Sequence, residues 1–188
     1  MRKIILFNMV TLDGFFEGPN HDISWHNVDA EFNDFAIDQL KSAEGLVFGR
    51  VTYQLMASYW PSELATKDDP VVAGLMNRLP KIVFSKTLTK VDWNNTRLAK
   101  GAERVAEETT KLKQQPGKDL LLFGSADLAS TLTQLGLIDE YRIMVNPVVL
   151  GSGTPMFKGV KDKLRLKLTN TRTFRSGNVL LYFQPDRK

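Results

Sequence analysis

The stretch DLLLFGSADLASTL, residues 119–132, decides how the rest of this chain is read. It opens with four apolar residues, Leu120 to Phe123, a run short enough for a strand buried on both faces. Gly124 and Ser125 break the run. Leu128, Leu132 and Leu135 then recur at helical spacing, with Ala129 on the same face. The pattern is a strand feeding straight into a helix through a turn of small residues. A helix start offers unpaired N–H groups and partial positive charge, and a glycine turn lets a phosphate approach them. The stretch therefore offers a seat for a dinucleotide's pyrophosphate, although an ordinary strand-to-helix turn has the same pattern. There is no GxGxxG and no GxxxxGK followed by Ser or Thr, so neither the Rossmann nor the P-loop fingerprint applies.

Upstream, the same alternation repeats. KIILFNMV, residues 3–10, reads as a central strand ended by Thr11-Leu12-Asp13-Gly14. Residues 15–27 form a long loop holding Trp25 and both histidines, His21 and His26. Asp29 is a good N-cap for a helix whose Phe32, Phe35, Ala36 and Leu40 share one face. Residues 46–48 are a second strand, stopped by Gly49-Arg50, with a helix over 52–59. A polar loop follows, and Asp69-Pro70 opens a short helix to about Arg78. Residues 81–84 form a third strand ending at Ser85-Lys86, residues 97–99 a short one, and residues 102–113 a helix closed by Pro116-Gly117.

Downstream, residues 140–149 read as a long strand and Gly151-Ser152-Gly153-Thr154-Pro155 as a loop. Residues 164–174 alternate apolar and polar, as a half-exposed antiparallel strand does. Ser176-Gly177-Asn178 then turns the chain into a final strand over 179–183. Strand–helix units first and a hairpin last predict a single α/β domain in three layers. Its mostly parallel central sheet has helices on both faces and a C-terminal antiparallel hairpin.

Composition narrows the function. A length of 188 residues suits one domain with a full core, and the absence of cysteine excludes disulfides, thiolate metal sites and a Cys nucleophile. No apolar run reaches the length of a membrane span, and no signal peptide leads the chain, so a cytoplasmic protein is expected. The net charge of +4 comes from scattered Lys and Arg, not the clustered basic face that nucleic acid requires. Small anionic ligands fit better. His21 and His26 lack a third ligand at metal spacing, so no metal is expected.

Three strand ends carry similar content: Gly49-Arg50-Val51-Thr52, Ser85-Lys86-Thr87 and Gly124-Ser125-Ala126. Ligands of open parallel sheets bind outside the carboxyl ends of the strands. Arg50 brings a guanidinium that grips phosphate oxygens in pairs, Lys86 a point charge, and Thr52 and Ser85 hydroxyls. Each alone is compatible with an ordinary surface residue; together they favour a clamp on an anionic dinucleotide.

These pieces also carry a resemblance. Thr11-Leu12-Asp13-Gly14, LVFGRVTY (46–53), IVFSK (82–86), LFGSADL (122–128) and above all LIDEYRIMVNPVVLGSGTPMF (137–157) resemble the dihydrofolate reductase-like family. Within it they are most similar to the branch of the C-terminal reductase domain of riboflavin biosynthesis. The resemblance runs over nearly the whole chain. It implies a dihydrofolate reductase-like fold, NADPH as cofactor and a homodimer. By that resemblance Arg50 contacts the adenosine 2′-phosphate with Ser85 and Lys86 beside it, next to Gly49. Thr52 contacts the pyrophosphate, and Gly124, Ser125, Ala126, Asp127 and Leu128 line its other side. Val10 offers main-chain contacts to the nicotinamide amide. Asp127 departs from the glycine-rich pattern, because its negative charge opposes phosphate unless it points away.

For the substrate side, the resemblance puts a carboxylate proton donor on the first helix, at or beside Glu31. Asp13, at the end of the first strand, either meets substrate or caps its turn. Glu31 reads equally as a dipole-favourable acid in a first helical turn. Gly151–Thr154 offers N–H groups to a substrate phosphate, or is a plain turn. The riboflavin enzymes often carry a zinc deaminase domain ahead of the reductase; without cysteine, that activity is not expected here. The expected function is an NADPH-dependent reductase of a ribosylaminopyrimidine or a pterin, with an NADPH-binding redox sensor as the alternative.

Overall fold

A computed structural model of the chain describes residues 1–101 and 104–186. The first half runs β1 (Ile4–Thr11), β2 (Phe15–Glu17), α1 (Ala30–Ser42), β3 (Ala43–Gly49), α2 (Arg50–Tyr59), α3 (Glu63–Asp68), α4 (Pro70–Arg78), β4 (Lys81–Ser85) and β5 (Thr96–Lys100). The second runs α5 (Val105–Gln114), β6 (Asp119–Leu122), α6 (Ala126–Gln134), β7 (Glu140–Asn146), β8 (Thr154–Pro155), β9 (Leu166–Thr173) and β10 (Val179–Pro185). Eight strands form one sheet in the order β5-β4-β3-β6-β1-β7-β10-β9, while β2 and β8 pair with each other. From β5 to β7 all neighbours are parallel; β10 then runs antiparallel to both β7 and β9.

β1 is buried at every residue, which is why its sequence is an unbroken apolar run rather than an alternation. On one face Ile4, Leu6 and Val10 pack with Val105 and Leu112 of α5 and with Leu128, Ala129 and Leu132 of α6. On the other, Ile5 joins Leu40 of α1, Tyr53 of α2, and Val72, Leu75 and Met76 of α4. These are the three layers that the strand–helix alternation predicts. Among the described residues no helix is long and apolar enough to cross a membrane.

Local chemistry sets the boundaries. The Asp29 carboxylate accepts the Phe32 N–H at 2.8 Å, and Asp69 accepts from Val72 at 3.1 Å. Residues 62–68, read from sequence as part of a polar loop, instead form α3 under a Ser62 cap to Ala65 N–H. Six residues are too few to show a helical period. The strand expected to reach residue 149 stops at Asn146. Pro147 lacks an N–H, and the Val148 carbonyl turns to accept from Leu12 N–H at 2.8 Å. β9 is exposed along nearly its whole length rather than on one face, because it forms the sheet's outer edge. The long loop over 15–27 contains β2. The helix expected from residue 102 begins at Val105; Ala102 and Glu103 lie outside the described residues.

The segment before α1 is tied to the far side of the sheet. Asn27 donates its N–H to Asn146 Oδ1 and its amide to the Ser176 carbonyl, and Asn178 donates to the Asn27 carbonyl at 2.7 Å. His26 is carried inward with it, and burial pushes its pKa down to about 4. The unfolded chain, with a histidine value of about 6.5, holds more protons between those limits, so stability falls as pH drops through that window. Urea denaturation is expected to show a loss of about 2 kcal/mol from about pH 7 to about pH 4.5 that His26→Gln removes. An unchanged loss in the variant would refute it.

Candidate functional site

β4, β3, β6 and β1 lie side by side and parallel, so their carboxyl ends form one rim. A crevice opens beyond such a rim where successive connections leave in opposite directions. β1 continues through α1 to β3 on one side of it, and β6 continues through α6 to β7 on the other. The crevice therefore falls between β1 and β6. β6 also ends early: Leu122 pairs with Leu6, whereas β1 runs on to Thr11 against β7 alone. The main chain of β1 beyond Leu6 thus lacks a strand partner on its β6 side. Val10 itself turns its carbonyl the other way, accepting from the Asn146 amide of β7 at 3.4 Å.

The turn after β6 is drawn against the start of α2. Gly49 N–H donates to the Gly124 carbonyl at 2.8 Å, and Phe123 N–H to Val47 at 3.2 Å. Gly124 has φ +100°, a conformation that favours glycine. A Cβ there would meet the Phe16 ring at 3.0 Å and Thr52 Oγ1 at 3.1 Å. α2 and α6 both begin at this spot, with Gly49 and Ser125 as N-caps and no side chain capping either helix. By contrast α1, α3 and α4 are each capped by a side chain. Two sets of uncapped N–H groups and one small-residue cradle suit a bridging anion. Ala126 and Leu128 turn their side chains into the core, so only their N–H groups are on offer.

Arg50 is the first residue of α2, exposed, with Nη1 3.0 Å from Gln54 Oε1. A cation at a helix's positive end is unfavourable unless an anion faces it. Lys86 lies two residues past Phe84, which pairs with Gly49, so it shares the rim with Arg50 and Gly124. The Ser85 hydroxyl accepts from Thr87 and Leu88 N–H at 3.1 and 2.9 Å, shaping the turn that carries Lys86. Asp127 pairs with Lys158 Nζ at 3.1 Å.

The two candidate proton donors are both engaged. Asp13 accepts from Thr11 Oγ1 at 2.6 Å and from the N–H groups of Leu150 and Gly151 at 3.2 and 2.7 Å. The Thr11 hydroxyl and those two amides hold its carboxyl below the usual carboxylate range. They also occupy the start of the loop that sequence offered to a substrate phosphate. Glu31 accepts from Arg175 N–H at 2.9 Å and from Arg172 at 3.2 Å, which likewise lower its pKa. A separate groove of about 670 Å³, lined by Tyr53, Gln54 and residues 87–94 among others, contains none of Val10, Arg50, Lys86 or Gly124.

A family model described as the RibD C-terminal domain matches residues 2–180. The chain belongs to the RibD C-terminal domain family. The chain is 39% identical over 184 residues to the uncharacterized protein YyaP of Bacillus subtilis strain 168, covering 97% of this chain and 94% of YyaP. Among solved structures it resembles the diaminohydroxyphosphoribosylaminopyrimidine deaminase/5-amino-6-(5-phosphoribosylamino)uracil reductase of Thermotoga maritima. There the TM-score is 0.70 at 15% identity, over 98% of this chain and 56% of that one. It also resembles the Enterococcus faecalis dihydrofolate reductase solved with NADP(H), with TM-score 0.66 at 12% identity over 98% and 96% of the two chains. The fold is dihydrofolate reductase-like. Two residues at this rim escaped the sequence reading: Phe16, set against Gly124, and Lys158, set against Asp127. Nothing local marks either, since both reach the rim through chain reversals.

Proposed function

We propose that this protein is an NADPH-dependent reductase of a small heterocycle, either a riboflavin-pathway ribosylaminopyrimidine or a pterin. The observation that carries the reading is the meeting of two uncapped helix starts at Gly49 and Gly124, with Arg50 and Lys86 on the same rim. Family membership and the likeness to a dihydrofolate reductase solved with NADP(H) support it. The residues present fit the cofactor: the cradle at Gly124 has no room for a side chain, and the cations lie beside it. When bound, the reduced nicotinamide supplies a hydride.

In this reading Arg50 and Lys86 hold the 2′-phosphate, and Ser85 fixes the Lys86 turn. Thr52 and the first N–H groups of α2 and α6, from Ser125 through Leu128, hold the pyrophosphate. The main chain near Val10 orients the nicotinamide amide. Asp13 and Glu31 stand as ionised, engaged carboxylates that position the 150–151 loop and the hairpin turn, and the proton reaches substrate from water. A homodimer belongs to the reading as well, because β9 leaves Leu166 and Leu168 exposed on the sheet's edge, where a second copy would cover them. The engaged carboxylates favour a second reading, a sensor that binds NADPH without turnover.

Titration of tryptophan fluorescence tests the cofactor. NADPH is expected to bind about tenfold or more tighter than NADH, the worth of one charge-assisted contact, with Arg50→Ala erasing most of that preference. Equal affinities in the wild type would refute the reading. Loss of reduced-nicotinamide absorbance with dihydrofolate or with the riboflavin-pathway pyrimidine separates reductase from sensor.

A further inference from the structure

The segment after β8 turns back over α6. Met156 N–H donates to the Gly14 carbonyl at 3.2 Å, and Asn8 donates to Met156 Sδ at 3.3 Å. Gln134 Nε2 donates to the Gly159 carbonyl, and Gly159 lies so close to Ser130 that a Cβ on it would stand 3.1 Å from Ser130 Cβ. These contacts fix the chain on both sides of Lys158 and hold its Nζ 3.1 Å from Asp127 Oδ1.

Asp127 is the second residue of α6, in a first turn with no side-chain cap and three residues beyond Gly124. A carboxylate in that turn opposes an anion arriving at the helix start, because like charges repel even through water. The pair is open to solvent, with Lys158 46% and Asp127 75% exposed, so it contributes little to folding. An ammonium that the fold scarcely needs is thus held at the mouth of the helix.

We infer that Lys158 belongs to the pyrophosphate site. It cancels the Asp127 charge in the free protein and turns its ammonium to the pyrophosphate oxygens when a dinucleotide binds. The inference rests on the proposed cofactor reading and adds a cation on the α6 side of the crevice. Arg50 and Lys86 lie on the β3–β4 side, where they distinguish NADPH from NADH. Lys158 meets the part common to both nucleotides and acts on them equally.

Fluorescence titration with NADPH and NADH tests this directly. Lys158→Ala is expected to weaken both by about tenfold and leave their ratio unchanged, because one charge contact common to both is lost. Lys158→Arg is expected to retain binding. Asp127→Asn is expected to tighten it, and the double variant Lys158→Ala/Asp127→Asn to regain most of the loss. A surface pair that merely steadies α6 would leave nucleotide affinity unmoved. If Lys158→Ala binds within about twofold of wild type, or loses only NADPH, while Arg50→Ala still abolishes the preference, the inference is overturned and the cofactor reading stands. A wild type that binds neither nucleotide overturns both.

Discussion

Gly49→Ala is expected to weaken NADPH binding by about a hundredfold or more and to destabilise the fold by about 2 kcal/mol. The cause is space, not backbone strain. Gly49 has φ −79° and ψ 165°, an extended conformation open to any residue. A Cβ there would press into the Ser125 hydroxyl and stand 2.9 Å from the Ser125 backbone nitrogen. Both obstacles belong to the turn that starts α6; the hydroxyl can rotate away, but the backbone nitrogen cannot. The end of β3 must therefore retreat from the 124–125 turn, stretching the Gly49-to-Gly124 hydrogen bond and parting the two helix starts. Gly74→Ala is the control. It lies within α4 with nothing inside 4 Å of its Cβ position, so alanine there is expected to stabilise by about 0.5–1 kcal/mol. Urea denaturation and nucleotide titration read both variants. Normal NADPH affinity in Gly49→Ala would mean that the two helix starts do not form one seat.

Lys81→Met is expected to cost about 3–4 kcal/mol of stability while leaving the nucleotide affinity of the folded protein unchanged. Lys81 is 1% exposed at the amino end of β4, the end away from the candidate site. Its ammonium donates to the carbonyls of Met76, Asn77 and Leu79 at 2.8, 3.1 and 2.7 Å and lies 4.5 Å from the centre of the Trp93 ring. The end of α4 has carbonyls without helical partners; the Asn95 amide donates to those of Asn77 and Arg78, and this cation collects three carbonyls there. Burial pushes its pKa down to about 8, while the three carbonyls and the ring face act in the opposite direction by favouring the charged form. Methionine keeps the length of the stem, so the loss falls on the orphaned carbonyls rather than on a cavity. A loss below about 1 kcal/mol would show that water replaces the ammonium at no great cost.

Much of the candidate site was legible before any tertiary contact. Gly49-Arg50, Ser85-Lys86 and Gly124-Ser125 each end an apolar run, and strands buried on both faces must end where polar or small residues begin. Such ends lie on one rim once the strands are parallel neighbours. Asp29 was legible as a cap, and Asp69-Pro70 as a helix start, because capping is a local bond. α3, β2 and β8 were not, since six, three and two residues carry too little periodicity to read.

The carboxylates show the limit most clearly. Asp13 and Glu31 stand at positions that suit acid chemistry; Thr11 is a near partner of Asp13, but nothing local indicates the distant partners of either. Asp13 meets Gly151 N–H across 138 residues, and Glu31 meets the hairpin turn at Arg175. The place of Asp127 opposite Lys158 was equally invisible.

The chain alone determined which of the longer segments become strands and helices and what chemistry the ends of those strands carry, because these follow from local spacing and residue type. Tertiary structure alone decided that β6 lies between β3 and β1, that its early end opens the crevice, and which charges are already neutralised. An apolar run says only that both faces are covered. Which strand lies alongside, and which distant amide satisfies a carboxylate, is set by the joint burial of all the layers.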